Sequence, residues 1–109
     1  MKLTLNAWAN GQPIPTKFAF GQIPDEGRFE LAQNINPAIS WEGAPTGTKS
    51  FAVICHDPDV PSSGEDVNQE GKTVPASLPR IDFFHWVLVD IPKDVREIPA
   101  GTLSSEVTP

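Results

Sequence analysis

The chain has 109 residues, enough for one domain but not two, and 39% of them are apolar, so that a packed core can form. Its 12 prolines are spread along the sequence and disfavour long helices, because each removes a backbone donor and clashes with the preceding turn. The formal charge of −6, without a basic stripe, argues against binding to nucleic acids or to anionic membrane surfaces. The single cysteine excludes an internal disulfide and a cysteine-rich metal site.

The N-terminal part of the chain contains short segments with the alternation of β-strands. Residues 3–7 alternate apolar and polar side chains, which predicts a strand with one buried face. Residues 16–20 form another short alternating segment, and residues 28–32 predict a third short strand. The following stretch consists mostly of turn signals, which lie on either side of residues 39–41.

Two stronger segments follow in the second half of the chain. Residues 50–56 and 83–91 are apolar at both odd and even positions, and they end at Pro58 and Pro92. Periodicity alone also allows a helix, but these lengths and terminators favour strands that are buried on both faces. The segment between them, residues 57–82, predicts a long loop of the kind that is often functional or disordered.

The whole pattern predicts one all-β unit of the sandwich type. Residues 99–109 show no strong pattern. No stretch approaches the roughly 18 apolar residues of a membrane span, and the N-terminus lacks the continuous apolar run of a signal peptide. We therefore expect a cytoplasmic protein without a transmembrane segment.

The densest polar motif is His56-Asp57-Pro58-Asp59-Val60-Pro61, at the end of the first strong strand. Two prolines in close succession stiffen the backbone, so that the acidic side chains between them have few orientations. Such rigidity suits a binding pocket, because little entropy is lost when a ligand is ordered. It also suits a tight turn that binds nothing.

His85, inside the second strong strand, also has two interpretations. It could be a satisfied core residue, or it could donate to an anion while the Asp57 carboxylate orients the ring. Since a carboxylate repels a full anion, Asp57 would orient His85 or accept from an amine or a protonated phosphate. A hydrolase would use the same pair as base and orienter, but Ser62, Ser63 and Cys55 are poorly placed as nucleophiles.

Metal binding is a weaker interpretation of the same residues. His56, Asp57, Asp59 and His85 offer nitrogen and oxygen ligands, yet the chain has no closely spaced histidine pair. His56 and Asp57 are adjacent in an extended segment, so we expect them on opposite faces. Most aromatic residues of the strong strands are expected in the core, with Phe83 and Phe84 as candidates for a pocket mouth.

Four motifs in a fixed order resemble the phosphatidylethanolamine-binding protein family, and most closely its bacterial Raf-kinase-inhibitor-like branch. The similarity covers residues 34–101. The motifs are Asn36-Pro-Ala-Ile-Ser-Trp41, Ala44-Pro-Thr-Gly-Thr-Lys-Ser-Phe51, His56-Asp-Pro-Asp-Val-Pro61 and His85-Trp-Val-Leu-Val-Asp-Ile-Pro92.

The resemblance implies a Greek-key β-sandwich with a small surface pocket for a phosphate-like anion or the head group of a phospholipid, phosphatidylethanolamine. It implies binding without catalysis and without a cofactor or a metal. Phe83 would lie near an aromatic position of the pocket. The ligand-binding residues that the resemblance implies are Asp57, Asp59, Pro61 and His85.

The resemblance also sets expectations about partners and chain organisation. Family members act as inhibitors of kinases or serine proteases, and this regulatory role and a weak hydrolase activity are the alternatives to simple ligand binding. The family has a later Gly-Pro-x-Pro-Pro turn and a His-x-Tyr strand, which this sequence lacks. We therefore expect residues 1–109 to be the N-terminal part of one domain, completed by a C-terminal part on the same or on a separate chain. A homodimer is a further assembly that the sequence leaves open.

Overall fold

A computed structural model describes residues 1–103, so residues 104–109 of the predicted patternless tail lie outside the described part. Strands dominate the described residues, and the all-β class is confirmed. The strands are β1 Lys2–Leu5, β2 Gly21–Gln22, β3 Glu30–Leu31, β4 Ile39–Glu42, β5 Ser50–Pro61, β6 Arg80–Pro92 and β7 Glu97–Ile98. They form two compact units, Lys49–Lys93 and the remainder of the described chain.

The first unit is built on a three-stranded antiparallel sheet in the order β1-β4-β7. The central strand, β4, places Ile39 opposite Leu5 of β1 and Ile98 of β7. Ile39, Trp41 and Ile98 are only 5–6% exposed and form the buried apolar centre of this sheet. In the same unit, β2 pairs with β3.

Two expectations for the N-terminal part of the chain are corrected. The alternation in residues 3–7 does not bury one face, since Leu3 is 63% exposed at an edge strand. Residues 16–20 do not form a strand but begin with a 3-10 turn over Thr16–Phe18. Pro15, with φ of −57°, supplies the carbonyl that accepts from the Phe18 N–H at 2.9 Å.

The second unit is a long antiparallel hairpin of β5 and β6. The sequence predicted that the first strong strand ends at Pro58, but β5 continues to Pro61, opposite Arg80. The register shifts between Asp57 and Val60, so that β5 carries an extra residue there. A proline is compatible with a strand at such a bulge, because the ladder is locally interrupted and needs no N–H at that point.

The expected burial of both faces of these strands is wrong for the described residues. Ile54, Phe84 and Val87 are 55–57% exposed, and Ile91 is the buried apolar residue of β6. The described unit contains just two strands, so their apolar side chains have no second layer within it. The apolar pattern therefore predicted the strands correctly and their burial incorrectly.

The predicted long loop is shorter than residues 57–82, because both strands extend into it. It runs from Ser62 to Pro79, where the Ser62 N–H donates to the Pro79 carbonyl at 3.0 Å and closes the loop at its base. Within residues 1–103, no helix has the length and the apolar composition that crossing a bilayer requires. The cytoplasmic location, the Greek-key topology and the division of the domain between two parts stay predictions.

Candidate functional site

The two principal residues of the predicted site meet across the hairpin. Asp57 lies opposite Phe83 in the ladder, and His85 is two residues further along β6. His85 Nε2 is 3.1 Å from Asp57 Oδ2. Both side chains remain accessible to a ligand, with His85 50% exposed and Asp57 39% exposed. The structure therefore brings together the histidine and the carboxylate that the sequence singled out.

The bulge after Asp57 fixes the carboxylate from its other side. The backbone N–H of Asp59 donates to Asp57 Oδ1 at 2.8 Å, which is the geometry of an Asx turn. This hydrogen bond and the one from His85 favour the charged form and lower the pKa of Asp57 below its ordinary value, against a smaller effect of burial. Asp57 is therefore ionised throughout the neutral pH range.

Because an ionised carboxylate can only accept, the contact with Asp57 assigns the proton of His85 to Nε2. The other ring nitrogen, Nδ1, has no hydrogen-bond partner among residues 1–103. Nδ1 accepts a hydrogen bond when the imidazole is neutral and donates one when it is protonated. The arrangement thus presents an oriented imidazole nitrogen to any ligand that approaches the exposed side of the ring.

The other predicted residues have different places around this pair. Phe83 lies edge-on to the imidazole of His85, with ring centroids 4.9 Å apart, and is 49% exposed, so it forms an apolar wall beside the site. Asp59 contributes its backbone N–H to Asp57. Pro61 lies further along β5, opposite Arg80, where the strand enters the loop. The structure therefore places Pro61 at the loop end of the hairpin rather than at the pair itself.

The opposite face of the hairpin carries a second contact that the sequence did not predict. His56 lies opposite Phe84, and His56 Nε2 is 2.8 Å from Asp82 Oδ1. Successive ladder pairs point to opposite faces, so this contact and the Asp57 pair lie on different sides, as expected for His56 and Asp57. Asp82 falls within the long loop that the sequence predicts. The polar–apolar alternation of Arg80-Ile81-Asp82-Phe83 is the signal that could have placed it in β6.

The metal interpretation gains no support from this geometry. No group of three or more histidine, cysteine or acidic side chains that could hold a metal ion occurs in the described part of the chain. Each histidine contacts one carboxylate, and the two contacts lie on opposite faces. The donors that the sequence offered are therefore divided between two sites.

Comparisons with known proteins give a consistent set of relatives. The family model described as "Phosphatidylethanolamine-binding protein" matches residues 4–108. The chain is 33% identical over 101 residues to the UPF0098 protein YbhB of Escherichia coli, covering 93% of this chain and 50% of that protein. It is 31% identical over 98 residues to the UPF0098 protein YbcL of the same organism, covering 90% and 42%.

Another bacterium provides a similar match. A UPF0098 protein of Aquifex aeolicus is 31% identical over 98 residues, which cover 90% of this chain and 41% of that protein. The chain thus spans about half the length of the curated relatives it matches. The matched residues include both strands of the hairpin and therefore the whole of the site described above.

Proposed function

Because the chain belongs to the phosphatidylethanolamine-binding protein family, we propose that it binds a small phosphoryl-type ligand at the Asp57–His85 pair. The observation that carries the proposal is the 3.1 Å contact between His85 Nε2 and Asp57 Oδ2 on an exposed face of the hairpin. This contact fixes the orientation of the imidazole ring and leaves His85 Nδ1 available to a ligand.

The charge of the pair favours a ligand that carries both a phosphoryl group and an ammonium group. A neutral His85 accepts from a protonated phosphate, and a protonated His85 donates to an ionised one. The ionised Asp57 attracts an ammonium group and disfavours a bare dianion. Phosphoethanolamine satisfies both requirements, whereas inorganic phosphate satisfies only the first.

We propose binding rather than catalysis at this pair. The hydrogen-bond partner of His85 is the Asp57 carboxylate, and no hydroxyl or thiol bonds to the ring among residues 1–103. Ser63 Oγ instead accepts from the Glu65 N–H at 3.3 Å within the loop. A base without an adjacent nucleophile lacks the arrangement that acyl transfer requires. This supports a ligand-binding protein over a weak hydrolase.

The test is a titration of isotope-labelled protein with phosphoethanolamine, followed by the NMR signals of the His85 ring and, in every variant, of the backbone amides. We expect saturable shifts in the wild type, and affinity at least about tenfold weaker in Asp57→Asn and His85→Gln, because a hydrogen bond to a charged group is lost. Asp25→Asn removes an exposed carboxylate elsewhere and should leave the affinity unchanged. Absence of a His85 shift in the wild type, or equal affinity in all three variants, would overturn the proposal.

A further inference from the structure

The second histidine–carboxylate contact has the same components as the first, exchanged between the strands. On the first face β5 supplies the aspartate and β6 supplies the histidine and the phenylalanine. On the other face β5 supplies His56, while β6 supplies Asp82 and Phe84. The His56 and Phe84 rings stack with centroids 5.1 Å apart, and His56 remains 44% exposed.

The same hydrogen-bonding logic assigns the proton of His56. An ionised Asp82 can only accept, so the 2.8 Å contact requires the proton on His56 Nε2. His56 Nδ1 has no hydrogen-bond partner in the described part of the chain. The second face therefore also presents an oriented imidazole nitrogen, backed by a stacked aromatic ring.

One feature distinguishes this face from the first, namely a guanidinium group. β6 has no extra residue between Arg80 and Phe84, so Arg80, Asp82 and Phe84 project from the same side of the strand. Arg80 is exposed, and its Nη2 donates to the Pro75 carbonyl at 3.4 Å, which occupies one of five N–H donors. On the first face the corresponding residues of β6 are Ile81, Phe83 and His85, none of which is permanently cationic.

From this combination we infer that His56, Arg80, Asp82 and Phe84 form a second binding site, for a phosphoryl oxyanion, on the opposite face of the hairpin. Arg80 supplies the charge-assisted donors that phosphoryl oxygens prefer, His56 supplies the oriented nitrogen, and Asp82 holds the ring. The site uses none of the residues of the Asp57–His85 pair, so it stands independently of the proposed function.

The difference in charge predicts opposite ligand preferences at the two faces. Each face carries one carboxylate, Asp57 or Asp82. On the second face the Arg80 guanidinium offsets the charge of Asp82, repels an ammonium group and attracts an anion, whereas Asp57 favours a ligand with an ammonium group. We therefore expect the second site to bind inorganic phosphate more tightly than phosphoethanolamine. The first site should show the reverse order.

The experiment titrates the labelled chain with inorganic phosphate and, separately, with phosphoethanolamine, while the ring signals of both histidines are followed. We expect saturable His56 shifts with phosphate and about tenfold weaker binding in Arg80→Gln, since a charge-assisted hydrogen bond is lost. Arg28→Gln is the matched control, because it removes the same charge outside the hairpin. Amide spectra that superpose on the wild type would establish that each variant is folded.

The two sites are separated by the variant His85→Gln. If His56 still responds to phosphate in this variant, the second site is established even when the first binds nothing. If the His56 ring signals do not shift with phosphate in the wild type, or shift equally in Arg80→Gln and Arg28→Gln, the inferred second site does not exist. His56 and Asp82 would then form only a cross-strand pair. A phosphate response of His85 alone would support the proposed function and overturn this inference.

Discussion

The three-stranded sheet β1-β4-β7 and the β5–β6 hairpin use polar side chains in opposite ways. Beside the sheet, Asn36 is 4% exposed, and its amide donates to the Pro99 carbonyl at 3.0 Å and accepts from the Leu103 N–H at 3.1 Å. On the hairpin, Asp57 and His85 are exposed and bond to each other. The buried amide holds distant backbone segments together, whereas the exposed pair leaves a ring nitrogen for a ligand.

Apolar side chains differ between the same two regions. β4 has four residues, yet Ile39 and Trp41 are each 6% exposed. β6 has thirteen residues and far more apolar content, yet Val87 and Val89 are 55% and 60% exposed. Among residues 1–103, β4 pairs with a strand on each side and β6 with one, which leaves Val87 and Val89 exposed although Ile91 of β6 is buried. Hydrophobic content therefore does not by itself identify the stabilising residues.

The largest effect should come from the isoleucine at the centre of the sheet. Ile39→Ala removes a buried side chain between two strands and should lower the free energy of unfolding by about 2–5 kcal/mol, as buried isoleucine truncations do. Ile54→Ala is the matched control, because Ile54 is 57% exposed on the hairpin. This substitution should change the free energy of unfolding by about 0.5 kcal/mol. Urea unfolding followed by circular dichroism measures both. Equal losses would show that the exposed hairpin faces are covered in solution.

A smaller loss is expected from the buried amide. Asn36→Ala deletes the partner of the Pro99 carbonyl and the Leu103 N–H, and an unsatisfied buried group costs about 1–3 kcal/mol. Asn6→Ala, at an exposed asparagine of the same unit, should be close to neutral. The same unfolding experiment applies, combined with the phosphoethanolamine titration. If Asn36→Ala abolished ligand binding while remaining folded, the division between a structural and a binding region would be wrong.

The sequence predicted the strands better than it predicted their surroundings. Alternation and β-branched content identified β1, β3, β5 and β6, because strand formation depends on local residue preferences. The exposure of Ile54 and the 3-10 turn at Thr16 depend on which strands lie nearby and on Pro15, which periodicity does not report. Burial is a property of the assembled sheet, and the two-stranded ladder leaves apolar side chains such as Ile54, Val87 and Val89 exposed.

The candidate site was predictable to a similar extent. Asp57 and His85 could be identified because the family resemblance places both residues, and their contact follows from the pairing of adjacent strands. The role of the Asp59 N–H depends on a bulge, and the partnership of His56 with Asp82 depends on the exact register of the two strands. Register is set by bulges and long-range pairing, which a single sequence does not specify.

The smallest expected effect is the change in stability with pH that follows from the charge of Asp57 in the exposed pair. The folded state lowers the pKa of Asp57, first through the Asp59 N–H and then through His85. A group whose pKa is lower in the folded state stabilises that state above its unfolded pKa, about 3.9 for aspartate. This contribution disappears as the pH falls from that value through the lower folded pKa.

A carbon-detected NMR titration of the Asp57 carboxyl group measures the shift directly. In the wild type, the midpoint should lie below that of an ordinary aspartate. In His85→Gln it should rise only part of the way, because the stronger hydrogen bond from the Asp59 N–H remains. A midpoint at the ordinary value in the wild type would mean that neither hydrogen bond persists in solution. A full return in His85→Gln would mean that the imidazole, rather than the bulge, holds Asp57 ionised, and the rigidity of the Pro58 segment would then have no part in orienting the site.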